Sequence, residues 1–158
     1  MTIYNIEVVE TTVTFDLVPR GLEDQMTWIE DHLGAHPAIV AVDEESATGV
    51  RGARGEIILG FASIGPYRSR AAYATTVENS VYVERSARGR GVGRLLLEDL
   101  LDLSAKGGFH SVIARIVGEN QSSIELHRRC GFIDIGVERE VGRKHGKWLD
   151  VVELQILL

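Results

Sequence analysis

Hydrophobic and polar positions alternate along this chain in blocks that predict a mixed order of helices and strands. The first block is a helix, because its apolar residues recur at spacings of four, three and four and so fall on one face: Leu22, Met26, Ile29 and Leu33. Gly34 and Pro37 end it. The apolar run at 38–42 then predicts a short buried strand.

Further apolar runs, separated by glycine-rich and polar segments, predict the rest of the fold. A polar hairpin loop at 43–55 leads into strands at 56–64 and 75–83. A helix extends to about Lys106, where Gly107 and Gly108 cap it. The remaining elements are a strand at 109–117, a short helix capped by Ser122 or Ser123 and ended by Cys130 and Gly131, and strands at 132–141 and 148–157 around a turn at 142–147. This order predicts an antiparallel meander followed by a βαβ crossover.

The segment between strand 81–83 and the long helix has the pattern of an anion-binding helix start. Glycines allow a ligand to approach the backbone, and the free N–H groups and dipole of a first helical turn favour negative charge. Four arginines within ten residues add positive charge there: Arg85, Arg88, Arg90 and Arg94. The pattern predicts a phosphate-bearing ligand.

Composition narrows the class of protein. The 158 residues, 44% hydrophobic and 25% charged, predict one domain with a substantial core. A net charge of −6 argues against general nucleic-acid or membrane-surface binding. No run is long enough to span a bilayer, and positions 1–10 lack the features of a secretory signal, so we expect a cytoplasmic protein. A single cysteine, Cys130, excludes an internal disulfide.

Two common phosphate-binding motifs do not fit the glycine turn. Its spacing is G-x-G-x-G, and the next strand ends in Arg115, Ile116 and Val117, without a carboxylate at the position where a dinucleotide fold would hold the ribose. A P-loop needs Lys and Ser or Thr after its last glycine, whereas Arg94 and Leu95 stand here. A turn that only joins a strand to a helix stays open as an alternative.

The residues around this turn resemble the acetyl-CoA-binding core of the GCN5-related N-acetyltransferases. Arg88, Gly91 and Gly93 fill that family's pattern of Arg or Gln, two residues, Gly, one residue, and Gly or Ala. A second block at the right distance downstream resembles the later Asn, Ser and Gly-Phe signature: Glu119, Asn120, Gln121, Ser122, Ser123, Ile124, Leu126, His127, Gly131 and Phe132.

The resemblance is closer to the phosphinothricin and methionine sulfone acetyltransferase branch and covers nearly the whole chain. It is carried by Tyr4 and Asn5, the segment 11–15, Tyr73, the block 77–83, and the late Lys144 to Trp148 and Asp150. It implies an α/β fold with a central, mixed, mostly antiparallel sheet and helices on both faces. Members usually have a strand and half a helix before the segment matching Ile3 to Asn5, so we expect the first strand to be absent.

The resemblance implies acetyl-CoA as the cosubstrate and assigns residues to it. The pantetheine arm would pair like an added strand with Val81, Tyr82 and Val83, consistent with strand addition at an exposed edge. The pyrophosphate would lie on the N–H groups of Gly89, Arg90, Gly91, Val92, Gly93 and Arg94, and Arg88 belongs to the same cosubstrate site. Asn120, and more weakly Ser123, resemble residues that bind the pantetheine amides; a polar turn or helix cap is the alternative for Asn120.

The same resemblance names Glu78 as the general base. Amines are mostly protonated at neutral pH, so a carboxylate must remove the proton before attack on a thioester. An exposed strand-end glutamate is the alternative. His127 occupies the position at which many relatives carry a tyrosine thought to protonate the leaving thiolate, although a packing role is the alternative.

The resemblance also implies substrate-side positions, with a solvated turn as the alternative for the last of them: Phe15, Ala71, Ala72, Tyr73 and His145. Arg70 could pair with a carboxylate or phosphinate, although a solvated loop arginine fits the sequence better. His32 and His36 have metal-ligand spacing, but Gly34 and Pro37 break the helix, so no metal is expected. The implied function is transfer of the acetyl group of acetyl-CoA, by a homodimer, to the primary amine of a small amino-acid-like substrate of the phosphinothricin, methionine sulfoximine or methionine sulfone type. The alternatives are another small amine, a protein N-terminus, or a non-catalytic acetyl-CoA-binding module.

Overall fold

The computed structural model describes residues 1–44, 49–52 and 55–158, so part of the hairpin loop expected at 43–55 lies outside the described residues. Short 3₁₀ turns occur at Ala71–Tyr73 and Arg85–Ala87. The helices are α1 Thr2–Glu10, α2 Leu22–Asp31, α3 Val92–Lys106 and α4 Gln121–Arg129. The strands are β1 Ala38–Asp43, β2 Val50–Arg51, β3 Ile57–Pro66, β4 Thr76–Val83, β5 Ser111–Val117, β6 Ile133–Lys144 and β7 Lys147–Leu157.

Seven strands form one mixed sheet in the order β1-β3-β4-β5-β7-β6, with β2 also pairing β3. The pairs β1–β3 and β3–β4 are antiparallel, β4–β5 is parallel, and β5–β7 and β7–β6 are antiparallel. Helix α3 makes the crossover between the two parallel strands. The predicted meander followed by a βαβ crossover is therefore confirmed.

One face of the sheet is closed by α3 and α4 over a continuous apolar core. Its fully buried members include Leu97 and Leu100 of α3, Val77 of β4 and Ile124 of α4. Alternate residues of the same strands point to the opposite face, where the rings of Tyr4 in α1 and Trp28 in α2 contact Tyr82 and Phe61. Helices lie on both faces, as expected. We call the first the packed face and the second the open face.

The strand at 38–42 was predicted to be buried, and this prediction was wrong. Strand β1 is not buried, because it has a neighbour on one side only, and Val40 is 60% exposed. The apolar stripe of α2 is also exposed, since the helix turns Trp28 toward the sheet instead. The stripe residues are all 47% exposed or more: Leu22, Met26, Ile29 and Leu33. The spacing predicted the helix but not the side that packs.

Two local predictions at chain reversals were wrong. Asn120, not Ser122 or Ser123, is the N-cap of α4, because its side-chain oxygen accepts the N–H of Ser123 at 3.3 Å. The last turn is also shorter than 142–147, since only His145 and Gly146 separate β6 from β7. Both have positive φ, 49° and 78°, as a two-residue hairpin turn requires.

Candidate active site

The site begins where two parallel strands part. Strands β4 and β5 pair only from Thr76 to Glu78 against Ser111 to Ile113. Beyond that point β4 stays paired with β3, and β5 with β7, but the two no longer pair with each other. The facing backbone edges of 79–83 and 114–117 are therefore open to an extended ligand that can pair like a strand. We call this space the strand opening.

The glycine turn follows the end of β4 and forms the start of α3. Gly89 and Gly91 have φ values of 74° and 86°, in the left-handed region that side chains disfavour. Gly91 is the N-cap, and the first bond of the helix runs from the Leu95 N–H to its carbonyl at 3.0 Å. The N–H groups of Val92, Gly93 and Arg94 precede that bond and have no acceptor within the helix. They form a donor cluster for an anion.

The arginines of this turn are not free, contrary to what their number suggests. Glu7 of α1 is 4% exposed, and one of its oxygens lies 2.8 Å from Arg88 Nη2 and 3.3 Å from Arg85 Nε. Arg90 and Arg94 also have carboxylate partners, Asp43 at 3.6 Å and Glu98 at 2.7 Å. An anion at the turn would meet backbone donors first, and these guanidinium groups would have to share it with carboxylates.

Glu78 lies on the open face, at the last position of β4 that pairs with β5. Burial raises the pKa of its carboxyl above the ordinary value, the positive charge of Arg115 opposes that rise, and Glu153 and Glu138 add to it. Arg115 forms ion pairs with Glu138 and with Glu153, the latter at 3.4 Å. One guanidinium therefore lies among three carboxylates, which leaves this part of the open face negatively charged.

Asn79, the next residue of β4, points to the packed face and meets His127 of α4. Asn79 Nδ2 lies 2.9 Å from His127 Nε2, and His127 Nδ1 lies 2.8 Å from the carbonyl oxygen of Ser123. His127 is 2% exposed, and this burial lowers its pKa although the Ser123 carbonyl opposes the change. Glu78 and His127, both predicted to be catalytic, thus lie on opposite faces of β4.

The two residues expected to bind the pantetheine amides lie at the start of α4. Asn120 Oδ1 accepts hydrogen bonds from the Ser123 N–H and from the Ser122 hydroxyl, at 3.3 and 3.0 Å. The side-chain oxygen of Asn120 therefore caps α4, which is the alternative that the sequence left open for this residue. Ser123 takes part through its backbone, with its N–H on Asn120 and its carbonyl on His127.

The predicted substrate-side residues lie in two places. Ala71, Ala72 and Tyr73 form an exposed 3₁₀ turn just before β4. Phe15 packs against the last hairpin, where a Cβ on Gly142 would fall 2.3 Å from its ring. His145 is exposed at the tip of that hairpin.

A cavity of about 460 Å³ adjoins the turn at 71–73 and is lined by Arg68, Ser69, Arg70 and Tyr73. The Arg68 guanidinium lies over the ring of Tyr67, 4.9 Å from its centroid, and donates to the Tyr67 hydroxyl at 3.2 Å. Arg68 is also within electrostatic range of Glu153. The cavity is therefore basic, and through Arg68 its charge acts on the acidic group around Glu78.

Sequence reasoning missed Arg115, Glu138, Glu153 and the Asn79–His127 pair. A signal for part of this set was present, because Arg115 interrupts the apolar run at 112–117. Their meeting depends on register: β7 places Glu153 opposite Arg115, and β6 brings Glu138 beside them. Within the described ranges, no group of three or more His, Cys, Asp and Glu side chains could hold a metal ion. No helix in the described part of the chain is long and apolar enough to cross a membrane.

Comparisons with known proteins agree with this geometry. A family model described as the acetyltransferase (GNAT) family matches residues 2–132. A phosphinothricin N-acetyltransferase from Streptomyces coelicolor is 42% identical over 151 residues, which cover 94% of this chain and 83% of the relative. An L-methionine sulfoximine/L-methionine sulfone acetyltransferase from Pseudomonas aeruginosa is 37% identical over 159 residues, covering 100% of this chain and 87% of that protein.

Solved structures give the same result for the fold. The crystal structure of a GNAT superfamily phosphinothricin acetyltransferase from Sinorhizobium meliloti, in complex with AcCoA, superposes with a TM-score of 0.88 and 35% sequence identity. The match covers 99% of this chain and 80% of that one.

Proposed function

Because this chain belongs to the GNAT acetyltransferase family, we propose that it transfers the acetyl group of acetyl-CoA to the primary amine of a small amino-acid-like substrate. Phosphinothricin, methionine sulfoximine and methionine sulfone are the acceptors we favour, since relatives named for them match most of the chain. The observation that carries the proposal is the position of Glu78, a carboxyl of raised pKa at the point where β4 and β5 part.

Acetyl-CoA fits the groups present. The unpaired edge at Val81 to Val83 offers backbone groups to the pantetheine arm. The donors at Val92, Gly93 and Arg94 suit its pyrophosphate, and Gly89 and Gly91 leave room for close approach. The remaining residues of the proposed cosubstrate site are Tyr82, Arg88, Arg90, Asn120 and Ser123.

Glu78 acts as the general base in this proposal. Its carboxylate takes one proton from the substrate ammonium, and the free amine then attacks the thioester carbonyl. The C–S bond breaks, the acetyl group stays on nitrogen, and the departing coenzyme A thiolate takes up the second proton that the attacking nitrogen loses. Burial raises the pKa of Glu78 toward neutrality, which makes it a better proton acceptor than an exposed glutamate.

The geometry does not support His127 as the acid for the thiolate. Its Nδ1 faces a carbonyl oxygen, which can only accept, so the ring proton must be on Nδ1. The other nitrogen, Nε2, then accepts from Asn79 and carries no proton. With its pKa lowered by burial, the ring stays neutral, and we assign His127 a positioning role instead.

The charges around the site suit a zwitterionic acceptor. The carboxylates of Glu78, Glu138 and Glu153 outnumber the one guanidinium of Arg115 and attract an ammonium group. The adjoining cavity offers Arg68 and Arg70 to a carboxylate, phosphinate or sulfone oxygen. Phe15, Ala71, Ala72, Tyr73 and His145 complete the proposed acceptor side.

The experiment is release of free thiol from acetyl-CoA against a panel of phosphinothricin, methionine sulfoximine, methionine sulfone, methionine and a peptide with a free N-terminus. We expect turnover with the first three. Turnover confined to the peptide would move the acceptor class to protein N-termini. Binding of acetyl-CoA without turnover on any amine would favour a sensing module over an enzyme.

We propose that the chain acts as a single acetyltransferase domain, in the cytoplasm, and as a homodimer. The net charge of −6 favours a small-molecule acceptor over nucleic acid or a membrane surface. Sedimentation of the purified protein tests the homodimer directly.

A further inference from the structure

The hydrogen bonds of His127 fix the orientation of the Asn79 amide. The carbonyl oxygen of Ser123 can only accept, so His127 Nδ1 donates to it, and a neutral ring then presents Nε2 as an acceptor. Asn79 must therefore direct its NH₂ group, not its oxygen, toward His127 at 2.9 Å. The amide oxygen lies on the other branch of the side chain and cannot share this contact.

The Asn79 oxygen has no partner. It is the one buried side-chain nitrogen or oxygen atom in the described part of the chain without a hydrogen bond, on a residue only 7% exposed. A buried acceptor left without a donor has lost its hydrogen bonds to water and gained none in return, which is unfavourable for the folded state. Native structures keep such atoms rarely, and a missing ligand is one of the usual reasons.

The position of Asn79 indicates which donor is missing. It pairs with Ile64 of β3 on one side, and on the other it is the first residue of β4 beyond the last pairing with β5. Its amide reaches α4, which packs on β5, so the Asn79–His127 pair crosses the narrow end of the strand opening. Glu78 lies at the same level on the opposite face.

We propose that Asn79 Oδ1 accepts a hydrogen bond from the amide N–H of acetyl-CoA that is nearest the thioester. This inference rests on the proposed function, in which the thioester lies near Glu78 and the pantetheine arm fills the strand opening. His127 acts as a positioning residue that keeps the Asn79 oxygen turned away from α4. The contact fixes how far the arm enters the opening and so places the thioester for attack.

A coupling experiment tests this contact. The ligands are acetyl-CoA and an analogue in which the amide nearest the thioester is an ester, so that oxygen replaces the N–H. Dissociation constants are measured by calorimetry for the wild type and for Asn79→Leu, which has similar volume and no acceptor. We expect the analogue to bind the wild type about tenfold more weakly than acetyl-CoA. We expect Asn79→Leu to bind both ligands with equal affinity.

Two controls separate this contact from a general loss of structure. Ser104→Ala removes another buried polar group of the packed face, whose hydroxyl donates within α3 to Leu100 at 2.7 Å, and should keep the tenfold difference. Adenosine 3′,5′-bisphosphate lacks the pantetheine arm and should bind the wild type and Asn79→Leu equally. If Asn79→Leu weakened the binding of this nucleotide as much as the binding of acetyl-CoA, the proposal would be overturned.

A wild-type measurement covers the case in which Asn79→Leu does not fold. The ¹³C signal of the Asn79 side-chain carbonyl should shift on addition of acetyl-CoA, and should not shift on addition of the ester analogue or of adenosine 3′,5′-bisphosphate. The same shift with all three ligands would overturn the proposal. A protein that binds no acetyl-CoA at all would instead contradict the proposed function.

Discussion

Glu78 and Asn79 are consecutive residues of β4, yet they occupy opposite electrostatic environments. Glu78 faces the open side, where burial raises the pKa of its carboxyl, Arg115 opposes that rise, and Glu153 and Glu138 add to it. Asn79 faces the packed side, where it meets a neutral, buried histidine and an apolar core. The alternation of a β-strand therefore separates a proton-accepting group from a hydrogen-bonding group at the same level of the strand opening.

Glu78→Gln changes the residue on the open face and should have the largest effect on turnover. Loss of the proton acceptor should lower kcat by about 10²- to 10⁴-fold. The dissociation constant for acetyl-CoA should stay within about twofold, since the packed face and the glycine turn are unchanged. Thiol release and calorimetry measure the two quantities. Loss of acetyl-CoA binding in proportion to kcat would mean that Glu78 holds the cosubstrate.

His127→Leu removes the hydrogen-bond partner of Asn79 on the packed face. It leaves the buried NH₂ of Asn79 without an acceptor, which should cost about 1–3 kcal/mol of the free energy of unfolding. Denaturant unfolding measures this loss. The pH dependence of kcat should keep its shape, because burial lowers the pKa of His127 and the neutral ring has no acid role in the proposed reaction. If one limb of the pH profile disappeared in this variant, His127 would be the acid that protonates the thiolate after all.

Substitutions of the charged residues around Glu78 should move the pKa of its carboxyl and so sharpen the contrast with Asn79. Arg115 favours the ionised carboxyl, so Arg115→Met should raise the pKa of Glu78 and move the acid limb of kcat/KM to higher pH, whereas Glu153→Gln should move it to lower pH. Arg115→Lys is the matched control, since it keeps the charge. Movement of the limb in the same direction in Arg115→Met and Glu153→Gln would exclude an electrostatic cause.

The smallest expected effect is on stability. Because the pKa of Glu78 is higher in the folded chain than in the unfolded one, its contribution to stability is most favourable at low pH and falls as pH rises through the folded pKa. Glu78→Gln should therefore melt a few degrees above the wild type at pH 8 and show no gain at pH 4. A Glu125→Gln variant on the exposed side of α4 is the control. A gain that is the same at both pH values would contradict the buried, ionised carboxyl.

The sequence predicted the elements that build the strand opening because each has a local cause. Apolar runs mark β4 and β5, and Gly91 and Gly107 mark the ends of α3. The network around Glu78 could not be predicted in this way. Arg115, Glu138 and Glu153 belong to three different strands, and only the register of β5, β7 and β6 brings them together.

The site on the packed face escaped sequence reasoning for a different reason. His127 was recognised by its place in a motif, but a motif does not give a tautomer. That depends on Ser123 and Asn79, which fix which ring nitrogen holds the proton. The exposed stripe of α2 shows the same limit, since spacing gives a helix its two sides but not the one that meets the sheet.

The central claim is that deprotonated Glu78 drives acetyl transfer, and the ratio of kcat/KM for the wild type to that for Glu78→Gln, measured from pH 5 to pH 9, tests it most directly. The titration of the substrate amine is common to both enzymes and cancels in this ratio. We predict a ratio that is constant at high pH and falls tenfold per pH unit below the raised pKa of Glu78. A ratio that does not change with pH would contradict the role of Glu78 as the base.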